Sequence, residues 1–167
     1  MFVQLTFTGS RFDSNTLPLD VMRDLKAYET LLIDLAKYLF LKDHPEKTRA
    51  PKNFSNVRLD IAKLEAGSTK PALVLVSTAV ASGILPAIAE NQYYDKAREL
   101  IAQRIAASES VEVEDFPEKF LHHFNKLGFS LKEGETMEHP LQGSDRAAIL
   151  NPEKRKKTCL DWRQRYL

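Results

Sequence analysis

The hydrophobic period of this chain changes once, early and completely, and that change limits what the chain can fold into. From Phe2 to Thr8 the residues alternate, with Val3, Leu5 and Phe7 on one side and Gln4, Thr6 and Thr8 on the other. That is the period of a half-buried strand. From Asp20 to Asp43 the residues Leu25, Tyr28, Leu32, Leu35 and Leu39 recur at spacings of three and four instead, the stripe of a long amphipathic helix. Asp20 is placed to cap that helix, and Asp24 suits the positive end of its dipole. His44-Pro45 stops it, because the residue before a proline is pushed out of the helical region.

Two further strands supply a sheet for this helix to cover. Val57, Leu59 and Ile61 alternate with Arg58, Asp60 and Ala62, and the apolar run Pro71 to Val76 reads as a strand buried on both faces. The segment Glu65 to Lys70 between them has turn chemistry, so the two form a hairpin. The expected class is α+β: a β-α-β-β core over residues 1–76, in which the long helix covers a small mixed or antiparallel sheet, then a helical extension over 79–128.

In the extension, Pro86 suits a first helical position, and Tyr94, Ala97, Leu100, Ile101, Arg104 and Ile105 share a stripe. Asp115 and Glu118 have capping-box spacing ahead of a third helix whose face is Phe116, Phe120, Phe124 and Leu127, and Gly128 supplies its left-handed stop. Phe129 to Lys132 are expected to form a brief strand, and Glu135 to Asp145 to be irregular. One globular domain over 1–145 is expected to lead into a basic C-terminal helix or tail over 146–167, started by Asn151 as cap and Pro152 as first helical residue.

A chain of 167 residues with 43% hydrophobic and 28% charged side chains has the makings of an ordinary folded core. Met1 to Thr8 contains no basic leader segment, and no apolar run nears the roughly 20 residues of a spanning helix. Neither secretion nor membrane insertion is expected. The single cysteine, Cys159, excludes an internal disulfide and a thiolate-rich zinc site, which fits a reducing cytoplasm. The net charge of +1 hides an asymmetry. Residues 146–167 carry seven basic side chains against Glu153 and Asp161, a sum of +5, which leaves −4 on the first 145.

The reactive side chains do not assemble into a known motif. Gly67, Ser68, Thr69 and Lys70 have phosphate-loop residues, but a single glycine ahead of a strand lacks the second glycine and the helix that such a loop requires. A hairpin turn is the expected structure, with a local anion or peptide site as its functional alternative. His44, His122, His123 and His139 lack ligand spacing, so surface or capping roles are expected of them. No Gly-x-Ser-x-Gly elbow occurs. No catalytic residue, cofactor or metal site is assigned, and no motif supports enzyme activity.

Lys154, Arg155, Lys156 and Lys157, followed by Trp162, Arg163, Arg165 and Tyr166, combine phosphate-seeking charge with rings able to stack on bases. They are the candidate contact for nucleic acid or for a protein partner.

The residues Leu5-Thr6-Phe7-Thr8-Gly9, Leu17-Pro18-Leu19-Asp20 and Glu65-Ala66-Gly67-Ser68 together resemble the amino-terminal region of an uncharacterised bacterial protein family, over about residues 1–76. Longer members continue into a small β-rich domain after a segment like Asn151-Pro152-Glu153-Lys154-Arg155. The resemblance therefore implies a short member, a split protein or a fragment of a two-domain protein. It implies no activity. The setting it implies is toxin-antitoxin or phage defence.

Strong fold signals without assembled chemistry lead to the expectation of a non-catalytic interaction or regulatory module of a bacterial cytoplasmic protein. A protein partner or a homodimer is expected, through strand addition if the Val57 to Val76 hairpin leaves an open edge. The alternatives are a nucleic-acid binder using the basic C-terminal helix and a small hydrolase or nuclease.

Overall fold

The computed structural model describes residues 2–13, 16–64, 71–77, 88–107 and 116–157. Its class is α+β, as the two hydrophobic periods require. The N-terminal strand divides at Leu5 into β1 (Val3–Gln4) and β2 (Thr6–Thr8), followed by the 23-residue helix α1 (Val21–Asp43). β3 (Val57–Leu64) and β4 (Pro71–Ser77) form the expected hairpin, and α2 (Ile88–Ala106) comes next. A one-turn helix α3 (Leu121–Phe124) precedes β5 (Thr136–Pro140) and β6 (Ala147–Leu150), and residues 152–157 form a last helical segment, α4.

The division at Leu5 organises the molecule. β1 pairs with β4 to give a sheet of order β1-β4-β3, whereas β2 pairs with β5 to give a second sheet of order β2-β5-β6. Among the described residues all pairings are antiparallel. Val3, Leu5 and Phe7 are buried all along this segment, so one alternating stretch supplies the core of both sheets. Arg98 of α2 donates to the Phe2 carbonyl at 2.5 Å, and Glu99 accepts from the Gln142 N–H at 3.4 Å. Adjacent residues of one helix thereby hold the two diverging sheets.

The expected stripes are the buried ones. Leu25, Tyr28, Leu32, Leu35 and Leu39 of α1 meet Tyr94, Ala97, Leu100, Ile101 and Ile105 of α2 in a single core. Aromatic rings close its far end, with Phe54 5.4 Å from Phe40 and 5.5 Å from Tyr94. His44 ends α1 as expected, its N–H bonded back to the Phe40 carbonyl and its ring stacked on Phe40 at 4.3 Å.

Four expectations require correction. Asp20 does not cap α1, because its own backbone is already helical and its carboxylate is taken by Arg11 at 2.7 Å. The third helix is only a 3-10 turn (Glu118–Phe120) and four α-helical residues, since Pro117 is extended at ψ 134 and delays the start. Phe120, Phe124 and Leu127 are nevertheless buried. No strand forms at 129–132, where the chain turns at Gly128 and runs on toward β5. The stretch expected to be irregular contains β5, and β6 lies beyond the expected domain boundary at 145/146, so that boundary falls within the β5–β6 hairpin.

The reason is visible in β5. Its buried positions are Met137 and His139, and a histidine on the inner face breaks the apolar alternation that marks a strand. Asp115, Pro86 and the Gly67 to Lys70 turn lie outside the described residues.

Candidate anion-binding cleft

The cleft is built on a fixed turn. Gly128 has φ +69, and a Cβ added there would lie 2.9 Å from Leu150 and 3.1 Å from Leu131. Any other residue there would strain the left-handed backbone and push the Leu150 and Leu131 methyls aside. The next residue, Phe129, is turned outward and is 57% exposed, while Ser130 is tied to α1. Its Oγ donates to Asp24 at 2.5 Å and its N–H lies 3.3 Å from the same carboxylate. Burial raises the Asp24 pKa, and the Ser130 hydroxyl and N–H oppose that rise.

This tie sets Phe129 beside α1, where the Arg23 guanidinium lies 4.9 Å from its ring centroid. Arg155 of α4 lies at the same 4.9 Å distance, positioned by a 2.9 Å bond from its Nη2 to the Asn125 carbonyl. Two guanidinium groups from opposite ends of the sequence thus converge on one exposed ring.

Beside the ring is a cleft of about 400 Å³, walled on one side by Arg23, Lys26, Ala27 and Thr30 of α1. His123, Lys126 and Phe129 form the other wall. Among the described residues no carboxylate lines it. Lys26 is ion-paired behind the cleft to Glu29, whereas neither Arg23 nor Lys126 pairs with a carboxylate among the described residues.

The sequence-derived candidates are only partly gathered here. Asn151 caps α4 as expected, accepting the Lys154 N–H at 2.7 Å. Lys154 is half-buried, and burial followed by the charge of Arg104 lowers its ammonium pKa. Arg155 reaches the Phe129 ring at the edge of the cleft, and Lys156 and Lys157 are exposed at the described end of the chain. Trp162, Arg163 and Arg165 lie outside the described residues, as do Gly67, Ser68, Thr69 and Lys70.

Arg23, Lys26, Lys126 and Phe129 were not among the candidates. Arg23, Lys26 and Thr30 do share a helical stripe, but a cationic stripe by itself reads as a solvated face, and its opposing wall lies about a hundred residues on.

Of the histidines, His123 lines the cleft and His122 is exposed. His139 is fully buried, contrary to the surface role expected of it. A second polar cluster is tied together internally. Glu135 accepts from Arg11 through both oxygens, at 2.6 and 2.7 Å, and from the Lys132 N–H at 2.8 Å. Arg11 also reaches Asp20 and the Ser130 carbonyl, and its charge holds the Asp20 and Glu135 carboxyls below their ordinary range. Among the described residues no three metal-ligating side chains converge, and no helix is long and apolar enough to cross a membrane.

No protein-family model matches the chain, and no curated protein or solved structure matches it significantly.

Proposed function

We propose that this protein is a non-catalytic binding module that holds nucleic acid in the cationic cleft between α1 and the 123–129 turn. One observation carries the reading: Arg23 and Lys126, neither of them paired with a carboxylate, stand on opposite walls of a cleft that no carboxylate lines among the described residues, with Arg155 at the Phe129 ring beside it. Phosphate oxygens are the partners that such a surface is short of, and the contacts would be independent of sequence. A cytoplasmic place and a bacterial regulatory setting, toxin-antitoxin or phage defence, belong to this proposal.

The competing reading, a protein partner or second copy added along the β3 edge, has less support. The Leu59 N–H in the middle of that strand is already bonded to Glu29 at 2.8 Å, and an occupied donor cannot pair with an incoming strand.

Binding of a fluorescent oligonucleotide to the full chain across a salt series tests the proposal. Affinity is expected to fall steeply with salt, and the double variant R23E/K126E should flatten the slope by about two phosphate contacts. Absence of any binding at low salt would overturn it.

A further inference from the structure

We infer that the strand held in the cleft is single, with one base stacked on the surface formed by Arg23, Phe129 and Arg155. This deepens the nucleic-acid reading and rests on it.

Three observations lead to it. Phe129 is the most exposed phenylalanine, tyrosine or tryptophan among the described residues, at 57%, yet it is held in place: Gly128 sets the turn before it and Asp24 anchors Ser130 after it. A ring fixed in water gains little for the fold, but it is a preorganised platform for another flat group. Next, two guanidinium groups lie 4.9 Å from its centroid. Guanidinium planes and aromatic rings are the two surfaces on which proteins stack unpaired bases. Last, the cleft measures about 400 Å³, at the small end of the range for sites that enclose one ligand group. It is the size for a nucleotide, and a duplex keeps its bases stacked on each other and out of reach of a ring seated against a helix. Lys126, which pairs with no carboxylate among the described residues, would take a flanking phosphate.

The test compares five ligands on the intact protein by fluorescence anisotropy at one low salt concentration: a 15-nucleotide single-stranded DNA, the RNA of the same sequence, the corresponding duplex, an abasic 15-mer, and inorganic polyphosphate. One or both single strands should bind about tenfold more tightly than the abasic strand, the scale of one stacked base, and more tightly than the duplex. DNA and RNA arms report which sugar is preferred.

F129A should bring the single strand to the abasic level and leave the abasic affinity unchanged. F129W in a W162F background provides a readout independent of that truncation, since its fluorescence should be quenched by the base-bearing strand and not by the abasic one or by polyphosphate. Equal affinity for based and abasic strands, preference for the duplex, or an unquenched F129W would overturn the inference while leaving the proposed function standing. Failure of all five ligands to bind would remove both.

Discussion

The Tyr28 hydroxyl and Nε2 of His139 lie 2.8 Å apart in a fully buried pair, one on α1 and the other on β5. Nδ1 of His139 faces the Pro140 carbonyl at 2.8 Å, so Nδ1 carries the proton and Nε2 accepts from Tyr28. This polar contact helps to register α1 against β5. Tyr28→Phe keeps the ring and leaves Nε2 unpaired, and is expected to cost about 1 to 3 kcal/mol. Urea unfolding followed by circular dichroism measures it, and an unchanged midpoint would deny the bond its importance.

The same histidine makes stability depend on pH. Burial lowers its pKa from 6.5 to about 4, so in that interval the unfolded chain binds a proton that the folded chain does not. Stability from this group is therefore complete above pH 6.5 and is lost as pH falls toward 4. The difference between those two values corresponds to roughly 3 kcal/mol at the acid end. Urea midpoints at pH 7, 6, 5 and 4.5 for the wild type and His139→Gln should diverge, with the variant flatter. Parallel profiles would assign the acid sensitivity to other groups.

Glu29 guards the outer strand. Removing its carboxylate in Glu29→Ala exposes the Leu59 N–H on β3 and is expected to destabilise the monomer by about 1 to 2 kcal/mol. Because the freed edge can then pair with another copy, sedimentation velocity should find a mass that rises with concentration for Glu29→Ala and not for Glu29→Gln. A monomeric Glu29→Ala at all concentrations would mean that α1 shields the edge without the carboxylate.

Gly9 and Gly134 separate two costs that usually occur together. Both have positive φ, +126 and +79, but a Cβ at Gly9 would stand 2.7 Å from Glu135 Cγ, whereas nothing lies within 4 Å at Gly134. Gly134→Ala should cost about 1 kcal/mol, the conformational penalty alone. Gly9→Ala should cost at least 1 kcal/mol more, because φ 126, ψ 170 is a region that only glycine enters readily and the new Cβ also displaces the carboxylate that Arg11 grips through two bonds. Equal thermal shifts for the two variants would show that Glu135 moves aside freely.

Much of the fold could be read from local pattern. Val3, Leu5 and Phe7, and the stripe from Leu25 to Leu39, are buried where their spacing places them, since period alone decides which face of a strand or helix is apolar. Gly128 and Asn151 perform the turn and cap expected of them. Misreadings gather where a polar residue faces inward or a proline intervenes. His139 hid β5, Ala147 and Ala148 were too small to announce β6, and extended Pro117 shortened α3.

By itself the sequence determined the class, the long helix, the hairpin and the basic end of the chain, because each depends on residues within a few turns of one another. The split of the first strand at Leu5 between two sheets, the pairing of Glu29 with Leu59, and the meeting of Arg23, Phe129 and Arg155 were decided only by tertiary structure. Their partners lie from tens of residues to more than a hundred apart, and no local periodicity encodes which distant group will fill an unpaired donor or face an exposed ring.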